Sequence, residues 1–207
     1  MSSTTVAVGS LEGLRSVLMD GSLLGLDAGA DVVVVPTAAA FVGVAEAARA
    51  VAEVCEPFDL RVEALIVADR TSAGEPYFAE RLASADLVVL CDGSPLHARA
   101  VWRATPVGEG IDRADRLLAV GSVASVLGAV MIDPRGGAPT TGLGYRDGLV
   151  FAVPVSDEQL IRTRSLMPAG LALVVLGPRG VVLNDGSGWR VVTDDVVVTR
   201  GHDVAVL

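Results

Sequence analysis

Apolar positions along the chain fall into short continuous runs separated by stretches with helical spacing. Residues 5–8, 31–35, 60–67, 87–91 and 117–120 are dense in Val, Leu, Ala and Thr, and each is too short for a helix. Runs of this kind read as strands buried on both faces, which is how strands of a parallel sheet read. Between them, residues 10–26 have helical periodicity interrupted at Gly13 and Gly21, and residues 41–55 form an Ala-rich amphipathic stretch that stops near Pro57. Residues 76–83 predict a short helix. Residues 94–103 predict another, with Ser94 as its cap and Pro95 in the first turn. After Gly170 the texture changes to runs at 171–176, 180–183, 189–193, 196–199 and 204–207, punctuated by Gly177-Pro178, Asp185-Gly186 and Gly201. The alternation predicts an α/β fold: three layers, doubly wound around a mostly parallel sheet, with C-terminal antiparallel hairpins closing one edge. No linker or repeat divides the chain, so residues 1–207 are expected to form a single domain.

The segment Leu-Leu-Ala-Val-Gly-Ser-Val-Ala-Ser-Val-Leu-Gly-Ala-Val-Met-Ile-Asp-Pro-Arg-Gly-Gly, residues 117–137, has a more particular outline. A strand ending at Val120 runs into the small-residue turn 121–125, and residues 126–131 read as the helix that follows. Strand, sharp turn and helix make the nucleophile elbow that lifts a catalytic Ser or Cys above the end of a sheet. At the tip of this turn stands Val123, which can neither attack a carbonyl nor accept a proton.

The turn resembles the Gly-x-Ser-Ala-Gly-Ala elbow of the peptidase E and cyanophycinase family of serine hydrolases. Further segments carry the likeness. Val32 to Ala38 resembles the family's second strand and its small-residue end. Ala85 to Ser94 resembles the stretch that runs from Ala-Asp through an apolar strand into the glycine loop forming part of the oxyanion hole. Asp133-Pro134-Arg135-Gly136-Gly137, followed by Thr141 to Gly144, resembles the stretch after the nucleophile helix. The resemblance covers most of residues 4–192. It implies the flavodoxin-like, class I glutamine amidotransferase-like architecture and a serine-hydrolase ancestry.

Departures fall on the catalytic positions. The overlay places the family's serine at Val123, its second glycine at Ser125 and its histidine at Val155. A Ser–His mechanism needs an imidazole within hydrogen-bond reach of the hydroxyl, so losing both partners removes the reaction as the family runs it. The resemblance thus implies a catalytically degenerate homologue, with Gly93 and Ala124 as the oxyanion-hole remnant and an unknown small ligand or peptide as partner. With no catalytic demand to bear about 1–3 kcal/mol of backbone strain, the turn at Val123 is expected to have relaxed. Val123 and Val155 are expected on one wall of an apolar pocket. The alternative is an active hydrolase with its nucleophile moved to Ser122 or Cys91. In an elbow the side chains flanking the tip point away from the cleft, which counts against Ser122.

Composition narrows the classes further. The chain carries 16 basic and 25 acidic residues for a net charge of −9, every basic residue is Arg, and no basic run occurs. That argues against nucleic acid and against a polybasic membrane anchor. No apolar run approaches the ~18 residues of a transmembrane helix, and the N-terminus lacks the pattern of a signal peptide. A cytoplasmic protein is expected, with a homodimer as one arrangement. Cys55 and Cys91 make neither a disulfide framework nor a metal knuckle. No dinucleotide, Walker or metal-ligand spacing is present, so no cofactor or metal is expected. His97 and His202 are the chain's two histidines. Neither stands in the family slot, although His97 with Cys91 makes a nominal thiol–base pair. Asp194-Asp195 reads as a solvated turn pair. Arg135 is the one charged group expected beside the pocket, bracing its turn.

Overall fold

A computed structural model describes residues 3–146, 148–153, 156–168, 170–200, 203–205 and 207. Val155 and His202 lie outside the described residues.

Strands β1 (Thr4–Val8), β2 (Asp31–Val35), β3 (Arg61–Ala64), β4 (Leu87–Leu90) and β5 (Arg116–Val120) pair in parallel in the order β3-β2-β4-β5-β1. The expected central trio of 32–35, 87–91 and 117–120 is adjacent, as β2, β4 and β5. Alternate residues explain the unbroken apolar runs. Val6, Val8, Val32, Val34, Leu87, Val89, Leu118 and Val120 face one cluster with Leu14, Val17, Val51 and Val54 of helices α1 (Leu11–Met19) and α2 (Val44–Cys55). Ala7, Val33, Val35, Val88, Leu90, Leu117 and Ala119 face the other. There they meet Leu82, Ala98, Val101, Trp102 and Ile111 of α3 (Tyr77–Ala83), α4 (Pro95–Trp102) and α5 (Pro106–Arg113). Both faces of the sheet are covered, which makes the three layers.

Several expected elements differ. Helix α1 ends at Met19, with Asp20 as its C-cap, rather than continuing to residue 26. Helix α2 starts at Val44, leaving Phe41 and Val42 exposed, and β3 ends at Ala64. Helix α5 was hidden in the sequence by Gly108 and Gly110, yet both glycines are needed. A side chain at 108 would overlap the Trp102 carbonyl, and one at 110 would press on Leu82.

The expected helix over 126–131 is absent. A 3₁₀ helix spans Gly121–Val126 and contains the turn itself; the chain then forms β6 (Val130–Ile132), paired antiparallel with β7 (Pro139–Thr141). An apolar run this short suits a strand as well as a helix, and the partner strand decided it. Downstream lie β8 (Leu149–Ala152), helix α6 (Asp157–Leu166), β9 (Ala172–Leu176), β10 (Val181–Asn184), β11 (Trp189–Val191), β12 (Val196–Arg200) and β13 (Asp203–Val204). The C-terminal strands do not all close one edge. Strands β10 and β11 extend the main sheet antiparallel beside β1, whereas β13-β12-β9-β8 form a second sheet in which β8 and β9 run parallel. Arg146 ties this region down: its guanidinium donates to Thr5 Oγ1 (2.7 Å) and to the carbonyls of Tyr145 (2.6 Å) and Asp112 (3.1 Å).

Candidate functional site

At the C-terminal ends of β4 and β5, two loops meet. Cys91-Asp92-Gly93-Ser94 leads from β4 into α4, where Ser94 Oγ accepts from the His97 amide at 3.3 Å as the expected cap. Gly93 has φ 147°, and its backbone presses so closely on Ala38 that a side chain there would overlap the Ala38 carbonyl. From β5 the chain turns through Gly121, whose φ of 67° is the left-handed conformation that glycine tolerates. A side chain at 121 would overlap the Asp92 carboxyl.

That carboxyl organises the junction. Asp92 Oδ1 accepts from the amide of Gly93 (2.7 Å), the amide of Ser122 (2.9 Å) and the hydroxyl of Ser122 (2.6 Å). The Ser122 hydroxyl also lies 2.7 Å from the Gly93 carbonyl, and Ser125 Oγ donates to the Ser122 carbonyl at 2.8 Å. Two backbone donors and a hydroxyl converging on one oxygen form an anion cradle of the oxyanion-hole kind. Here a side chain of the same chain fills it.

Beside the junction opens a cavity of about 480 Å³. Gly93, Ser94, Pro95, Ser122 and Ser125 make the near wall. The far wall comes from the β6–β7 turn (Asp133, Pro134, Gly137), from Phe151 and Ala152 of β8, and from Gln159, Leu160 and Thr163 of α6. Thr163 Oγ1 donates to the Gly137 carbonyl at 2.8 Å, fixing α6 to the turn. Helix α6 starts where Ser156 Oγ caps the Gln159 amide at 3.2 Å.

The candidate residues are distributed unevenly around this space. Val123 is fully buried, packs in the core cluster beneath the second sheet face and does not line the cavity. Its backbone is unstrained, since among the described non-glycine residues only Asp59 and Ala104 have left-handed φ, so the turn has relaxed as expected. The left-handed residue is Gly121. Ala124 is also fully buried, and the Gly93 amide is engaged by Asp92. Ser122, expected to point away, lines the cavity with Ser125. Both are carried there because the 3₁₀ turn rotates Val123 inward.

Cys91 packs on the opposite face of the sheet with α1 and α2, 2% exposed. Burial, with Asp92 adding to it, pushes its thiol up to about 12, and burial pushes Cys55 to about 11. Only roughly one Cys91 in 10,000 is then thiolate at pH 8. Alkylation of the native protein at pH 8 is expected to be at least a hundredfold slower than after denaturation; equal rates would refute this burial. These raised values also give a pH dependence. The stability gained by keeping the thiols neutral is complete below about pH 9 and drains away as pH rises toward 12.

His97 is not paired with Cys91. Its Nε2 lies 2.8 Å from the Ala68 carbonyl, which can only accept, so that nitrogen carries the proton; its ring stacks edge-on against Phe41 at 4.9 Å. Arg135 is exposed and does not line the cavity; its amide, not its guanidinium, is held by Asp133 Oδ1 at 2.9 Å. Asp195 is not simply solvated, because its Oδ2 accepts from the Arg179 amide at 2.8 Å. Among the described residues no three His, Cys, Asp or Glu side chains gather as metal ligands. No described helix is long and apolar enough to cross a membrane.

No family model matches the chain, and no curated protein matches it. Its structure is similar over its whole length to that of a peptidase from an acI-B1 actinobacterium, with a TM-score of 0.78, 21% identity and 94% of that chain covered. It is also similar to a protein from Listeria monocytogenes EGD-e assigned as a peptidase E, with a TM-score of 0.66 and 13% identity over 97% of this chain and 99% of that one. The fold is therefore that of peptidase E.

Proposed function

We propose that this chain is a non-catalytic homologue of the peptidase E and cyanophycinase-type serine hydrolases, retained as a cytoplasmic protein that holds a small ligand or peptide in the cavity beside Ser122. The overlay that puts the family's serine at Val123 and its histidine at Val155 supports the loss of chemistry. The observation that carries the reading is the occupied cradle: Asp92 Oδ1 takes the Gly93 amide, the Ser122 amide and the Ser122 hydroxyl. Acyl transfer at this spot would build an alkoxide beside a fixed carboxylate. Two negative charges about 4 Å apart repel by ~1–4 kcal/mol over the range from water to a protein surface, a handicap of roughly fivefold to thousandfold. The same amides cannot turn to the oxyanion without releasing Asp92.

A second reading has one observation in its favour. Ser122 lines the cavity and its Oγ is hydrogen-bonded to a carboxylate, so it is the candidate for a relocated nucleophile. A carboxylate is a weaker base than an imidazole, and His97 is engaged elsewhere. Purified protein is expected to give no turnover of chromogenic dipeptide or ester substrates above background and no labelling with a fluorophosphonate probe. Robust turnover abolished by Ser122→Ala would replace the silent reading with the relocated one.

A further inference from the structure

Four backbone amides at the start of α4 and in the elbow are of the kind that holds anions at a loop–helix junction, and all four are spent within the chain. The Gly93 and Ser122 amides donate to Asp92 Oδ1, the Ser94 amide donates to the Ala38 carbonyl at 2.7 Å, and the His97 amide donates to Ser94 Oγ. Among the described residues lining the cavity none is Arg or His, and the one charged side chain is Asp133, whose Oδ1 already accepts from the Arg135 amide. Most of the wall is apolar, from Pro95, Ile132, Pro134, Phe151 and Leu160. Three lining residues are nearly out of solvent: Phe151 at 2%, Thr163 at 3% and Ser125 at 5% exposure. Ser125 in the near wall and Thr163 in the far wall donate their protons to the carbonyls of Ser122 and Gly137, so each hydroxyl keeps lone-pair capacity for a further donor.

Resting on the cavity-binding reading above, we infer that the cavity takes an uncharged small molecule with an apolar body and a hydroxyl or amide N–H, and turns away free amino acids and peptides. A group of either charge must leave water to enter. That cost is recovered only against an opposite charge with the remaining hydrogen bonds also made. A carboxylate meets no cation in the lining, and the four amides that could receive it are taken. An ammonium meets one carboxylate, already bonded within its own turn, and needs acceptors for three protons. A neutral ligand avoids both costs: its body displaces water from the apolar wall, and its donor is accepted by Ser125 or Thr163. A volume of about 480 Å³ is in the range of drug-sized sites.

Phenylpropanamide, phenylpropylamine and phenylpropanoate share one apolar body and differ in charge. Titrated into the full chain at pH 7 by calorimetry, the amide is expected to bind about tenfold or more tightly than either charged analogue. Two variants tie the preference to this cavity. Gln159→Arg adds a cation to the lining and should raise the carboxylate's affinity relative to the amide at least about fivefold. Leu160→Trp fills the space and should weaken the amide about tenfold or more; a folding failure of either variant leaves the other to decide. A charged analogue that binds the wild type as tightly as the amide overturns the inference. So does amide binding untouched by Leu160→Trp, or a carboxylate-to-amide ratio unmoved by Gln159→Arg. If none of the three compounds binds, the cavity-binding reading itself fails and the ligand class falls with it.

Discussion

Gly121→Ala is expected to lower stability by about 2–4 kcal/mol and to dismantle the cradle at Asp92. Two causes act together. Residue 121 has φ 67°, and a side chain in that left-handed conformation costs roughly 1–2 kcal/mol. The new methyl would also overlap the Asp92 carboxyl. Asp92 is exposed enough to swing aside, but doing so breaks its bonds to Gly93 and Ser122, each worth roughly 0.5–1.5 kcal/mol. For a domain of this size the melting temperature should fall by ~5–15 °C. A double-mutant cycle separates the causes. In an Asp92→Ala background the overlap is gone, so Gly121→Ala should cost only the backbone strain. Equal costs in both backgrounds would mean that the two residues do not interact.

Val123→Ser should cost about 3–6 kcal/mol and bring no activity. The valine is wholly buried, and burying such a side chain is worth roughly 1.5–3 kcal/mol. The serine would replace it with a hydroxyl in an apolar cluster, at a further ~1–3 kcal/mol if no acceptor is in reach. Because this side chain points into the core, its hydroxyl would not reach the cavity. Thermal denaturation measures the first claim and fluorophosphonate labelling the second. Probe labelling at residue 123 would show that the turn can present this position outward.

The centre of the parallel sheet was legible because β1, β2, β4 and β5 are buried on both faces, which makes each a run rich in Val, Leu and Ala, whereas the edge strand β3 (Arg61–Ala64) is mostly exposed. Burial on alternate faces also means that pattern alone cannot order the strands. The cavity was only half legible. Its near wall follows from the glycine loop and the elbow, both visible as motifs. Its far wall stands on β6, β8 and α6. Helix α6 escaped because its residues are mainly charged and polar, with Thr163 the only fully buried one. Its signal was local: Ser156 three residues before Gln159 is a capping pattern. Helix α5 had a similar announcement in Thr105-Pro106, where the Thr105 hydroxyl accepts from the Gly108 amide at 3.3 Å. The role of Asp92 was the least legible of all. Nothing in one dimension says that Gly121, nearly thirty residues later, leaves the space for a carboxylate.

The position of β1 has a consequence for how the chain comes to be folded. Strand β1, synthesised before the other strands of the main sheet, lies inside it between β5 and β10, with Thr5 opposite Leu117 on one side and Asn184 on the other. At translation rates of ~5–20 residues per second, the edge that β10 will cover stays bare for roughly 10–40 s after β1 emerges. An open edge on a strand that is apolar on both faces is a template for pairing with another chain. Refolding should therefore lose yield as concentration rises, and nascent chains should depend on chaperones until the β10–β11 hairpin arrives to close the sheet.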